Sequence, residues 1–203
     1  MEISPSGLKH PDFYHILISA IAPRPIAWVS TLSKDGHPNL APFSFFTVVS
    51  AQPPLLGFSP GPRRTKEGRV AKDTLRNVRD TGEFVVNVVT FEVAEAMNVT
   101  SGEYEHSVNE FELAKLQQRS SQIVRAPQVA ESPVSFECKL RQILDFGDPP
   151  TGSFVIGEIV SLHMDDAVLH EGRLESNALD LIGRMGGTQY SRTQPRFDMH
   201  RPK

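Results

Sequence analysis

The run "PIAWVSTLSKDGHPNLAPFSFF", residues 25–46, is the stretch on which the fold turns. Its first third, 25–32, is rich in β-branched and aromatic side chains and reads as a strand. "SKDG" (33–36) carries an Asp-Gly pair, the chemistry of a turn that reverses a hairpin. The return run, 37–50, is just as apolar but holds Pro42, which has no N–H to give to a ladder. On the residues alone Pro42 either kinks a core strand or, in a second reading, ends the ladder. Backbone groups there, beside Asn39, Ser44 and Thr47, would then be free for something other than protein.

Working outward, "QPP" (52–54) ends that strand and "LLGFS" (55–59) is another. A loop rich in glycine, proline and arginine, 60–72, leads to a short helix at 73–82. Asp73 or Thr74 is its expected N-cap, and Gly82 lies just past its end. "EFVVNVVT" (83–90) has valines on both faces and predicts a buried strand. Helical segments follow near 92–99 and 109–116, joined by "TSGEYEHSVN" (100–109). In "PVSFECKLR" (133–141), Val134, Phe136, Cys138 and Leu140 alternate with Ser135, Glu137, Lys139 and Arg141. That pattern predicts a half-buried antiparallel strand with one wet face. Residues 153–164 and a weaker strand from about 168 are expected to complete the sheet. With no βα alternation, repeat or linker, the chain predicts one mostly β domain over 1–203, an antiparallel barrel or sandwich with helical insertions.

At 203 residues, 39% hydrophobic, the chain can bury a sizeable core. The net charge of −3 lacks the basic footprint of a nucleic-acid binder. Nothing near the start reads as a signal peptide, and no window is apolar enough for a spanning helix, so a soluble cytoplasmic protein with no membrane partner is expected. A single cysteine, Cys138, excludes an internal disulfide or CxxC site, and its place on the apolar side of its strand predicts a packed core thiol.

Dinucleotide-fold, P-loop, zincin and nucleophile-elbow motifs are absent. "GRMGG" (183–187) reads as a tight turn. "HMDD" (163–166) reads as a strand end and turn, and no metal is expected. The basic cluster Arg63, Arg64, Lys66, Arg69 and Lys72, against Glu67 alone, is either a solvated loop or an anion site. The helix start beside it favours an anion, although an Asp73 cap would occupy the same donors.

"RPIAWVST", "NLAPFSFF", "KDTLRN" and "TGEFVVN" follow one another in an order that resembles the flavin reductase-like family. "NEFELAKL" (109–116), "APQVAESPVSFECKL" (126–140), "VIGEIVSLHMDDAVL" (155–169) and "GRMGGTQYSR" (183–192) extend the resemblance over about 20–192. The resemblance implies an FMN-binding split β-barrel, antiparallel and Greek-key-like with a few short helices, working as a homodimer. By the same resemblance Ser30 and Thr31 would lie close to FMN. Asn39, Ala41, Pro42, Ser44 and Phe45 would meet its ring, and Lys72, Thr74 and Arg63 its phosphate. Several reductases of the family have a histidine where Gly152 and Ser153 stand here, and His106 could enter the site instead.

The implied function is a flavin reductase that takes hydride from NAD(P)H and passes electrons to flavin or another small-molecule acceptor. Because the cofactor carries that chemistry, no catalytic residue is singled out, and Trp28, Phe43, Phe45 and Phe46 read as core aromatics. The alternative is a flavoredoxin-type FMN carrier reduced by an electron-donor protein. A third reading is a structural or sensing module without flavin.

Overall fold

The computed structural model describes residues 2–65, 68–147 and 150–202. The chain opens with helix α1 (His10–Ala20), then strands β1 (Ala27–Leu32), β2 (Pro38–Phe43), β3 (Phe46–Ala51) and β4 (Pro54–Phe58). A short ribbon, β5 (Arg63–Thr65) and β6 (Gly68–Val70), interrupts the segment expected to be all loop, and leads into α2 (Asp73–Thr81) and β7 (Glu83–Asn87). Helices α3 (Ala94–Val99) and α4 (Glu110–Leu113) follow, then the two-residue strands β8 (Gln118–Arg119) and β9 (Gln128–Val129). The long pair β10 (Val134–Phe146) and β11 (Gly152–Met164) comes next. Small hairpins β12 (Leu169–His170) with β13 (Arg173–Leu174), and β14 (Ile182–Arg184) with β15 (Tyr190–Arg192), close the order. The strand expected from 168 therefore forms its own ribbon and does not extend the main sheet.

The main sheet is antiparallel throughout, in the order β2-β1-β7-β10-β11-β4-β3. Its edge strands, β2 and β3, are joined by Ser44 and Phe45 alone. Laid flat, seven strands would hold those edges roughly 29 Å apart. The Cα atoms of Phe43 and Phe46 lie three virtual bonds apart, at most about 11 Å. The sheet must curl until its edges nearly meet, while Ser59 N–H, donating to Phe45 O at 2.8 Å, extends the β3–β4 ladder into the link. The result is a barrel split along one seam.

This moves the interruption in the opening stretch. Pro42 lies within β2, in register with Trp28, and the strand breaks two residues later, at Ser44–Phe45. An edge strand tolerates proline because alternate residues turn their N–H outward. Leu40 N–H donates outward to Glu110 Oε2 at 3.1 Å, so Pro42, two residues on, lacks its donor on the outward side, where no ladder needs it. Burial pushes the Glu110 carboxyl above its usual range, against the hydrogen bonds that lower it.

Strand alternation sorts the core into two layers. Inside the barrel, Ala27, Val29, Phe43, Phe58, Phe84, Val86, Cys138 and Val155 pack with Leu75 and Val78 of α2. Burial pushes the Cys138 thiol far up, as expected of a packed thiol. On the outer face Trp28 and Leu40 pack beneath Met97, Phe111 and Val129. The expected wet face of β10 is exposed at Lys139 and Arg141 but not at Ser135 and Glu137, which are fully buried. The coil from β8 to β9 lies across them, and Glu137 accepts from the N–H groups of Gln122, Ile123 and Val124 and from Gln128 Nε2. A polar strand face can be covered when the covering chain brings its own unpaired donors.

Candidate functional site

Helix α2 is set against the sheet by two side-chain bonds one turn apart. Asn77 Nδ2 donates to Thr31 Oγ1, and Asn39 Nδ2 donates to Thr74 Oγ1, each at 3.0 Å. These pairs aim the helix N-terminus along the outer edge of β2. Its N-cap is Lys72, not Asp73 or Thr74, and no side chain caps it. Asp73 instead lines the narrow cleft, its side chain paired with Arg76 and with His106 Nδ1 at 3.3 Å. The competition expected from an Asp73 cap is absent, and the first-turn N–H groups have no side-chain partner. Because Thr74 Oγ1 already accepts from Asn39, its hydroxyl proton is free to donate elsewhere.

Two clefts meet here, sharing Pro42 and Lys72. The narrow one runs between Asn39, Ala41, Thr74 and Arg63 on one side and residues 100–104 on the other. Arg63 bridges that gap, donating to Tyr104 O at 2.9 Å and reaching Glu105 at 3.4 Å. The wide cleft, about 540 Å³, is lined by Phe43, Ser44, Phe45, Phe146, Gly152 and Ser153 among others. That volume lies in the range of small-molecule sites. Lys72 Nζ sits at the junction, 5.7 Å above the Phe43 ring. Burial holds the Lys72 ammonium below its usual pKa, Glu103 acts in the opposite sense, and Arg63 lowers it further. The junction is a cationic corner with donors on one arm and aromatic walls on the other.

Of the residues expected in the site, Asn39, Ala41, Pro42, Ser44, Phe45, Arg63, Lys72 and Thr74 converge on these clefts. Ser30 and Thr31 do not, and both are fully buried. Ser30 faces the outer layer, where it donates to Pro127 O and accepts from Asn87 Nδ2 at 3.2 Å. Thr31 faces inward beneath Asn77. Their role is to seat the coil and the helix. His106 does not line either cleft and packs near His37, with ring centroids 6.1 Å apart. Lys66 and Glu67 lie outside the described residues, as do the side chains of Arg64 and Arg69. Among the described residues no cluster of His, Cys, Asp or Glu could hold a metal, and Asp165 of "HMDD" pairs with His163 and Arg119.

Sequence reasoning missed the wall formed by 100–104 and by Ser59, Phe146 and Thr151. The Gly102–Glu103–Tyr104 turn was the one visible signal, since loops that carry polar groups over a rigid scaffold often line sites.

Residues 19–178 match the model of the flavin reductase like domain. The chain belongs to the flavin reductase-like family. It is 38% identical to a protein of Halalkalibacterium halodurans over 205 residues, covering 100% of this chain and 97% of that one. Among solved structures it is similar to nitrilotriacetate monooxygenase component B from Bacillus cereus, with TM-score 0.91, 32% identity and 98% of each chain covered. It is also similar to 2-nitrobenzoate 2-nitroreductase from Pseudomonas fluorescens, with TM-score 0.88, 31% identity, and 100% and 96% covered. The split barrel deduced from the β2–β3 connection is the fold of this flavin-binding family. No helix among the described residues is long and apolar enough to cross a membrane.

One contact in this family site is testable on its own. Glu103 brings a carboxylate to the narrow cleft and acts on Lys72. Glu103→Gln should tighten binding of a phosphate-bearing flavin by roughly two- to fivefold, the scale of an exposed charge pair. Riboflavin affinity should hardly move. Titrating both flavins by fluorescence quenching measures the difference.

Proposed function

We propose that this protein binds FMN across the paired clefts and acts as a flavin reductase that uses NAD(P)H. The observation that carries the reading is the corner at Lys72, where an uncapped helix start, a half-buried ammonium and the Thr74 hydroxyl converge. Such a donor set suits a phosphate monoester. The wide cleft beside it, walled by Phe43, Phe45 and Phe146, suits a flat ring system. Bound flavin would supply the redox chemistry, taking up hydride from a nicotinamide and releasing electrons to a small-molecule acceptor. The protein's part is to hold the phosphate, flatten the ring against the β2 edge and leave one ring face open. The names of the two structural relatives, a monooxygenase component and a nitroreductase, accord with flavin redox chemistry.

A second reading rests on Gly152 and Ser153. They line the wide cleft where several reductases of the family have histidine, so the nicotinamide position differs. A flavoredoxin-type carrier, reduced by a protein donor, would not need that position. Phe45 and Phe146, 41% and 53% exposed at the same cleft, favour a second copy covering it, and sedimentation would report the dimer.

The test is the visible spectrum of the purified protein with added FMN, followed by anaerobic addition of NADH or NADPH. A bound-flavin spectrum bleached catalytically supports the reductase. Bound flavin that neither nicotinamide bleaches supports the carrier, and no bound flavin refutes both. The domain reading, one unit over 1–203, is tested by limited proteolysis, which should trim ends and leave the body whole.

A further inference from the structure

Arg24 is buried, 6% exposed, yet among the described residues no carboxylate pairs with it. Its guanidinium is held by neutral oxygens. Nη1 donates to Ile18 O at 2.5 Å and Ile21 O at 2.8 Å, the carbonyls at the end of α1, where a cation is favoured. Nη2 donates to Met185 O at 2.9 Å in the turn between β14 and β15. Its backbone also pairs both ways with Arg184, at 2.9 and 2.8 Å. The head group is thus clamped by three bonds from two segments, the end of α1 and the β14–β15 turn.

Of the two donors left, Nε points to Ser44 Oγ at 3.4 Å. Ser44 is the first of the two residues that join β2 to β3, and it lines the wide cleft. No other hydrogen bond reaches its hydroxyl among the described residues. A hydroxyl whose lone pair faces a fixed cation turns its own proton away from that cation. Ser44 lines both the wide cleft and the pocket it shares with Arg24, so a proton turned from Arg24 can reach the wide cleft.

We infer that Arg24 is a positioning residue that sets the Ser44 hydroxyl as a hydrogen-bond donor to the ring end of the ligand. This rests on the flavin reading and deepens it. The group that Ser44 meets must then be an acceptor, a carbonyl oxygen or an imine-type ring nitrogen, and not an N–H. A ring bound the other way round would present the wrong partner, so the pair selects one orientation. It mirrors the narrow cleft, where Asn39 sets Thr74 as a donor in the same manner.

The test compares the wild type with Ser44→Ala, Ser44→Thr, Arg24→Gln and the Arg24→Gln/Ser44→Ala double variant. Binding of FMN and of riboflavin is titrated by flavin fluorescence, and the long-wavelength absorption band of the bound flavin is recorded. Ser44→Ala and Arg24→Gln should each weaken both flavins alike, by roughly five- to tenfold, the scale of one neutral hydrogen bond. Both should shift the band in the same direction, Ser44→Thr should stay near wild type, and the double variant should be no weaker than the worse single one. Additive losses, or a Ser44→Ala protein that binds as wild type does, overturn the inference. If Arg24→Gln does not fold, equal binding by Ser44→Ala and Ser44→Thr overturns it, and a loss in Ser44→Ala alone upholds it. A wild type that binds neither flavin overturns the proposed function itself, whereas the other failures leave that reading standing.

Discussion

Replacing Lys72 by alanine is expected to weaken FMN binding by roughly ten- to a hundredfold and riboflavin binding by less than about threefold. The reason is geometric. Lys72 stands where the two clefts join, so its ammonium can meet a phosphate in the narrow arm while its stem lies along Phe43. Its burial holds the ammonium below its usual pKa, and an arriving dianion would act in the opposite sense and raise it. The same change leaves the ring wall of Phe45 and Phe146 untouched. Lys72 caps α2 through its backbone and its side chain makes no cap bond, so the helix should survive. Paired titrations with the two flavins check this. Equal losses would mean that Lys72 does not meet the phosphate.

Glu137→Ala should cost about 3 kcal/mol of stability, because it strands donors that no other acceptor can reach. Burial would push the Glu137 carboxyl up, but hydrogen bonds from Gln122, Ile123, Val124 and Ser161 outweigh it and hold the pKa below the usual range. A folded pKa below the unfolded one means stability that is fully present above about pH 4.3 and lost as the pH falls through the folded value. Denaturant titrations across that window should show wild type losing its advantage over Glu137→Gln as acid is added. A constant gap would mean that the charge of Glu137 contributes nothing. Since the 118–132 coil seats on Glu137, the loss should appear as whole-domain stability rather than as a local change at the clefts.

Much of the site was legible because its cues are local. An interrupted strand, a basic loop and a helix start sit in order from Asn39 to Thr74, and order in the chain survives folding. What misled was parity and cover. Ser30 and Thr31 belong to the expected strand, but alternation sends one under the coil and the other under α2, and neither lines either cleft. Glu137 looked solvent-facing because alternation marks a polar face without saying what lies on it. The wall at 100–104 was signalled only by its polar loop, because it reaches the cleft through a long-range contact, Arg63 to Tyr104.

The sequence by itself determined most strands of the main sheet, the turn at Asp35–Gly36 and the place of α2, which depend on neighbours within a few residues, and the family, which depends on the order of short motifs. Only the tertiary structure decided where the strand truly breaks and what the break is for. Pro42 is an edge residue whose missing donor faces away from the ladder, and the interruption is Ser44–Phe45, the two-residue link that must draw opposite edges of a seven-stranded sheet together. Closure of that kind is a property of the whole sheet, so no local pattern could have announced it.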